Sequence, residues 1–243
     1  MSHTKGMIFA AGLGTRLRPL TNDRPKALVE VKGKSMLEWT VIKFIEAGIT
    51  SVVINIHHFP EMMKVAILDL RSRYEIELLI SDESDKVLET GGGLVKAIPL
   101  LQDADQIILH NADILSDIDL KQLAKEHDNS KHLATLVTNE RVTSRYLLFN
   151  DDKDLIGWKN TNTNEYRWCK NKTPDYTPLA FCGIQVINRQ LLDLIDRKGK
   201  FSIIDVYLEA AKTHSLTSTL TNRKWYDIGS LEKLEKAEKE FFI

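Results

Sequence analysis

The stretch that decides the reading of this chain is Met7-Ile8-Phe9-Ala10-Ala11-Gly12-Leu13-Gly14-Thr15-Arg16-Leu17-Arg18-Pro19-Leu20-Thr21, continued by Asn22-Asp23-Arg24-Pro25-Lys26-Ala27-Leu28. Its first five residues are an unbroken apolar run, as expected of a strand buried on both faces. A glycine-bearing, basic loop follows at once. In open α/β sheets, ligands sit outside the carboxyl ends of the strands, where this loop would lie. Gly12 and Gly14 allow backbone amides to come close to a ligand, and consecutive amides form an anion-binding concavity. Arg16 can fork onto phosphate oxygens, and Lys26 is a compact point charge. The loop lacks the third glycine of a dinucleotide fingerprint, and Pro19 and Pro25 interrupt any helix after it. It also lacks the glycine-lysine-serine/threonine ending of a P-loop. A phosphate cradle and a plain surface turn with solvated cations remain.

Outward from that loop the chain alternates. Residues 36–47 carry helical spacing, with Leu37, Val41, Phe44 and Ile45 on one face, and Gly48 stops them. Apolar strands are expected at 51–56, 76–80, 106–110 and 133–137, and helices at 60–70, 91–98 and 120–125. This beat predicts an α/β fold, with a Rossmann-like, mixed but mostly parallel sheet flanked by helices. After Thr138 the rhythm changes. Residues 145–149 and 155–158 read as antiparallel strands, and 160–178 as an irregular loop or lid. A strand at 179–187, helices at 190–196 and 203–212, and strands at 216–220 and 224–228 follow. Ser230 caps a closing helix, with Lys233 where a capping box would have an acid or amide. A single domain over 1–243 is expected. It divides into a first half over 1–138 and a second half, with the closing helix, over 139–243.

Composition excludes several classes. Of the 243 residues, 43% are hydrophobic and 28% charged, and the net charge is −1, so no global basic field draws the chain to nucleic acid or membrane. Cys169 and Cys182 are the only cysteines and make neither a disulfide scaffold nor a metal-ligand pair. No apolar run is long enough for a signal peptide or a membrane span. A cytoplasmic protein, monomeric or a small homo-oligomer, is expected.

The stretch from Gly12 to Thr21, followed by Pro25-Lys26-Ala27-Leu28, closely resembles the signature of the sugar-phosphate nucleotidylyltransferases. Glu89-Thr90-Gly91-Gly92-Gly93, Asn111-Ala112-Asp113, Phe181-Cys182-Gly183-Ile184 and Trp225-Tyr226-Asp227-Ile228-Gly229 resemble later blocks of that family in the expected order. The resemblance implies joining of a nucleoside triphosphate to a sugar 1-phosphate with release of pyrophosphate. It implies Mg2+ held by Asp113 and Asp227, two carboxylates being enough beside phosphate oxygens. Arg16 and Lys26 would be the catalytic cations, Arg16 toward the leaving pyrophosphate. Ala11, Gly12, Gly14, Thr15, Glu89, Thr90 and Gly91 would meet the nucleotide, and Asn111, Arg145, Lys159 and Gly183 the sugar.

Read singly, these residues have plainer roles. Asp113 could be a turn acid, Asp227 a strand-end carboxylate, and the glycines at 91–93 a packing device. The chain departs from the family in lacking a glutamate-lysine-proline block. Glu165, Lys159, Lys170 and Lys172 are the possible substitutes. The blocks most resemble those of N-acetylmuramate-1-phosphate uridylyltransferases, and mannose-1-phosphate and heptose-1-phosphate guanylyltransferases and some choline-phosphate cytidylyltransferases share much of the pattern. A catalytically silent nucleotide-sugar-binding regulator is the alternative of another class, and it would be expected to lose Arg16, Lys26, Asp113 or Asp227.

Overall fold

The computed structural model describes residues 2–241. The ends of the expected domain, Met1, Phe242 and Ile243, lie outside them. Strand β1 (Thr4–Phe9) is shorter at its carboxyl end than the apolar run, because Ala10 and Ala11 already belong to the loop. Its side chains alternate between two apolar clusters. Met7 and Phe9 enter one, while Ile8 enters the other with Ala10 just beyond the strand. That period of two is the reason helices cover both faces.

The first half adds the hairpin β2 (Glu30–Val31) and β3 (Lys34–Ser35), then α1 (Met36–Glu46), β4 (Ser51–Ile56), α2 (Pro60–Arg73), β5 (Glu77–Asp82), α3 (Glu89–Leu101), β6 (Gln106–Asn111), β7 (Ile114–Ser116), α4 (Leu120–Asp128) and β8 (Ala134–Asn139). Strands β6, β1, β4 and β5 are parallel neighbours in that order. Helices α1, α2 and α4 pack Val41, Ile67 and Leu123 against one face, and α3 packs Leu94 and Ala97 against the other. Ser35 starts α1 by accepting from the Glu38 amide at 3.1 Å.

The second half comprises β9 (Arg145–Phe149), β10 (Leu155–Asn160), β11 (Glu165–Trp168), β12 (Thr177–Asn188), α5 (Gln190–Asp193), α6 (Ile203–Ala210), β13 (Leu216–Leu220), β14 (Trp225–Asp227) and α7 (Leu231–Glu240). It does not form a separate sheet. The long strand β12 pairs antiparallel with β6 and β8 and extends the same sheet to β9, β10 and β11. The fold is thus the expected mixed sheet between helices, with an antiparallel outer part.

Three local readings change. The segment expected to be an irregular lid contains β11, which pairs Tyr166 with Lys159 and Trp168 with Gly157. Tyr166 and Trp168 stack at 6.0 Å, so aromatic strand propensity outweighs the polar residues around them. Strand β7 was not legible in the sequence, and it pairs with β14 in a two-stranded ladder. The chain also bulges in β12 between Phe181 and Gln185, where Gly183 adopts φ +74°, a conformation glycine enters freely. A third apolar cluster holds Leu17, Met36, Leu115, Ile228, Ala237 and Phe241 together. It ties the basic loop, β7, β14 and α7 into one unit.

Candidate active site

The loop after β1 is pinned at both ends. The Ala10 amide donates to Asn55 Oδ1 at 2.7 Å, from the carboxyl end of the neighbouring strand. The Gly14 carbonyl accepts from Leu17 N at 3.0 Å and from Thr21 Oγ1 at 2.8 Å. Gly14 sits at φ +66°, and a Cβ there would come within 2.9 Å of Lys26 Cβ. Only glycine therefore lets the loop fold over Lys26. Leu17, fully buried, ends a single 3-10 turn whose preceding residue, Arg16, is left exposed.

The resulting cleft has a volume of about 440 Å3 and is bordered by Ala11, Gly12, Gly14, Thr15, Arg16, Lys26, Glu89, Thr90, Asn111 and Asp113 among others. Its size suits a nucleotide. Lys26 Nζ lies 2.5 Å from Asp113 Oδ2, with the two side chains 13% and 28% exposed. Asp113 follows β6, and the Ala112 amide donates to the Phe9 carbonyl at 3.1 Å, holding the turn against β1. Strands β7 and β14 then bring the second carboxylate alongside: Asp227 pairs with Ile114, and the Ile228 amide donates to the Asp113 carbonyl at 2.9 Å. Asp227 Oδ2 is held by Lys233 Nζ at 2.6 Å. Gly229, which borders the cleft, is flanked on both sides. A Cβ on it would lie 2.9 Å from Asp227 Oδ1 and 3.3 Å from an Arg16 guanidinium nitrogen. Arg16, Lys26 and Asp113 thus border the cleft, while Asp227 does not border it but lies beside Gly229 at its edge.

The two aspartates fit a magnesium ion. Both are hard oxygen donors, Asp113 in the turn between β6 and β7 and Asp227 at the end of β14, and magnesium fills its remaining positions from water and phosphate. Among the described residues no group of three or more His, Cys, Asp or Glu side chains is placed to hold a metal.

Other expected contacts fall differently. Glu89 faces Lys200 across the cleft at 3.5 Å. Thr90 borders the cleft, but its Oγ1 accepts from the Ile203 amide at 3.0 Å and thereby anchors the start of α6. Gly91 is a correction. Its amide donates to the Phe201 carbonyl at 2.9 Å, and a Cβ would meet the Phe201 ring at 2.4 Å. It is buried, does not border the cleft, and packs α3 against the 199–201 segment.

Asn111 borders the cleft, and its Nδ2 would be 2.7 Å from a Cβ on Gly183, which lies behind it and does not border the cleft. Arg145 and Lys159 do not border the cleft. Arg145 is exposed at the start of β9, and Lys159 Nζ lies 5.4 Å from the ring centroid of Tyr146 on β9 and 5.3 Å from that of Tyr176 just before β12. Their charge points to the second half in sequence, but strand register places them along the antiparallel extension. Of the other substitutes, Lys170 binds Asp154 at 3.1 Å, and Glu165 and Lys172 are exposed.

The sequence reading missed Asn55 and Glu83. Asn55 Nδ2 donates to Glu83 Oε1 at 2.7 Å, while its Oδ1 holds the Ala10 amide. Glu83 is fully buried, and burial pushes its carboxyl above the usual range, partly offset by Asn55. The available signal was a lone amide in the apolar run Ser51-Val52-Val53-Ile54-Asn55-Ile56.

Comparison with known proteins now bears on this geometry. The model of the nucleotidyl transferase family matches residues 5–241. The chain belongs to the nucleotidyl transferase family. It is 46% identical over 99 residues to the N-acetylmuramate alpha-1-phosphate uridylyltransferase of Caulobacter vibrioides, a match covering 39% of this chain and 40% of that one. The enzyme of the same name from Neisseria meningitidis is 27% identical over 238 residues, 96% of each chain. The mannose-1-phosphate guanyltransferase of Yarrowia lipolytica is 29% identical over 93% of this chain and 60% of its own length. A UDP-glucose pyrophosphorylase complexed with UDP-glucose superposes with a TM-score of 0.79 over 98% of both chains at 17% identity, a likeness of fold. The family is one of nucleotidyl transfer, and the relatives are named for transfer to a sugar 1-phosphate. Among the described residues no helix is long and apolar enough to cross a membrane.

Proposed function

We propose that this nucleotidyl transferase acts in the cytoplasm on UTP and N-acetylmuramate 1-phosphate, giving the UDP-sugar and pyrophosphate. The observation that carries the chemistry is the placing of Lys26, Asp113 and Arg16 along the nucleotide-sized cleft, with Asp227 beside Gly229 at its edge. An oxygen of the sugar phosphate attacks the α-phosphorus, the bond from the α-phosphorus to the bridging oxygen breaks, and pyrophosphate leaves with that oxygen. The nucleophile is already anionic, so the chain must supply position and counter-charge, not a base. The amides of Gly12 to Thr15 cradle the phosphates, Lys26 faces the reaction centre and Arg16 the leaving pyrophosphate. Asp113 and Asp227 are the residues that would hold magnesium, whose charge neutralises phosphate oxygens when it is bound. Asn111, with Gly183 behind it, borders the sugar.

The choice of substrates rests on the uridylyltransferase that matches over 96% of both chains. The guanyltransferase matching 93% of this chain favours a second reading, GTP with mannose 1-phosphate. The test is pyrophosphate release with each nucleoside triphosphate crossed with N-acetylmuramate, N-acetylglucosamine, glucose, mannose and heptose 1-phosphates and phosphocholine. Release confined to UTP with N-acetylmuramate 1-phosphate is expected. Release confined to another pair replaces the substrates and keeps the reaction.

A further inference from the structure

The residue opposite Asp227 is in an unfavourable place for a cation. Lys233 is the third residue of α7, and its amide donates to the Ser230 cap at 3.4 Å. The first turn of a helix carries partial positive charge and prefers acids, so a lysine there is disfavoured. Its partner offsets this: Lys233 Nζ lies 2.6 Å from Asp227 Oδ2. The arrangement at the other carboxylate is the same, with Lys26 Nζ 2.5 Å from Asp113 Oδ2. Each aspartate of the pair therefore carries a lysine. The two lysines differ in their surroundings. Lys26 is 13% exposed and enclosed by the basic loop, whereas Lys233 is 50% exposed on a helix surface.

We propose that Lys233 is a displaceable internal counter-ion for Asp227. It holds the carboxylate in place when no divalent cation is bound, and it competes with the cation for that carboxylate. This rests on the reading of Asp113 and Asp227 as a metal pair. The consequence is an order of loading. A free divalent cation must displace Lys233 into solvent, with no new anionic partner for the ammonium. A cation arriving on a nucleoside triphosphate brings phosphate oxygens, and those accept the released ammonium beside Arg16 and Gly229. Lys233 thus weakens binding of the bare ion and favours the ion that comes with substrate.

The test is direct binding of Mn2+ to the intact protein, followed by the paramagnetic resonance of the free ion without nucleotide. The variants are Lys233→Gln, Lys233→Arg and Asp227→Asn. A partly exposed ion pair is a modest competitor, so Lys233→Gln is expected to bind Mn2+ about two- to fivefold tighter than the parent. Lys233→Arg, which keeps the charge, is expected to stay within about twofold of the parent, and with a nonreactive triphosphate analogue present the advantage of Lys233→Gln should vanish. Binding that Asp227→Asn removes but Lys233→Gln leaves unchanged or weakens overturns the counter-ion and leaves the metal pair standing. Absence of Mn2+ binding in every protein overturns the metal pair and the counter-ion with it.

Discussion

Replacing Lys26 by Gln removes the ammonium that lies 2.5 Å from Asp113 Oδ2, in a side chain only 13% exposed. A charge so shielded from water acts on a transferring phosphate more strongly than a solvated one. Removal of one such preorganised donor costs about 3–4 kcal/mol at the transition state, or about 100- to 1000-fold in kcat/KM. Asp113→Asn should cost a similar factor. The contact between the two side chains makes a second statement possible. Groups that act as a unit lose their function together, so the double variant should fall close to the worse single one and far short of the product of the two losses. The assay is pyrophosphate release by all four proteins, with unfolding temperatures as a check on the fold. A Lys26→Gln enzyme within about threefold of the parent would refute the placement of Lys26 at the reacting phosphate. A double variant whose loss equals the product of the single losses would show that the two residues act separately.

Two further outcomes follow from buried polar groups. Asn55→Ala removes the donor to Glu83 Oε1 and the anchor of the Ala10 amide. It should cost about 1–3 kcal/mol of stability, read by denaturant unfolding, and raise KM for the nucleoside triphosphate; parental values of both would exclude Asn55 as the pin of the loop. His110 and His127 are buried, and burial pushes each down to about 4 from 6.5. Both stay neutral in the folded chain while the unfolded chain takes up protons below about 6.5, so stability falls as pH drops from there to about 4. Each histidine contributes up to about 3 kcal/mol of that loss. Unfolding followed across this window should show the decline, and His127→Gln should flatten it. An unchanged slope in that variant would remove His127 from the account.

Much of this arrangement is legible in the sequence because it is local. The apolar run at 7–11, the glycines of the loop and Lys26 share one stretch, and β1 carries its alternation into both core faces. Asp113 is legible because it follows a buried strand. Its closeness to Asp227 is not, since that depends on pairing β7 with β14 across more than a hundred residues. Gly91 looks like a ligand glycine in sequence. Its packing role appears only when the Phe201 ring is seen against it. Arg145 and Lys159 show the same limit, because charge type can be read from one strand while its distance from the cleft is set by the register of several. The tie between Asn55 and Glu83 also crosses strands, and only the amide inside an apolar run hinted at it.

The central claim is that this chain breaks a nucleoside triphosphate at its α-phosphorus using the pair Asp113 and Asp227. The most direct measurement is pyrophosphate release with UTP, N-acetylmuramate 1-phosphate and Mg2+, made side by side on the parent and on Asp227→Asn. The account predicts release by the parent only when all three components are present, and loss of that release in Asp227→Asn with the unfolding temperature retained. Release by Asp227→Asn at the parental rate would contradict it.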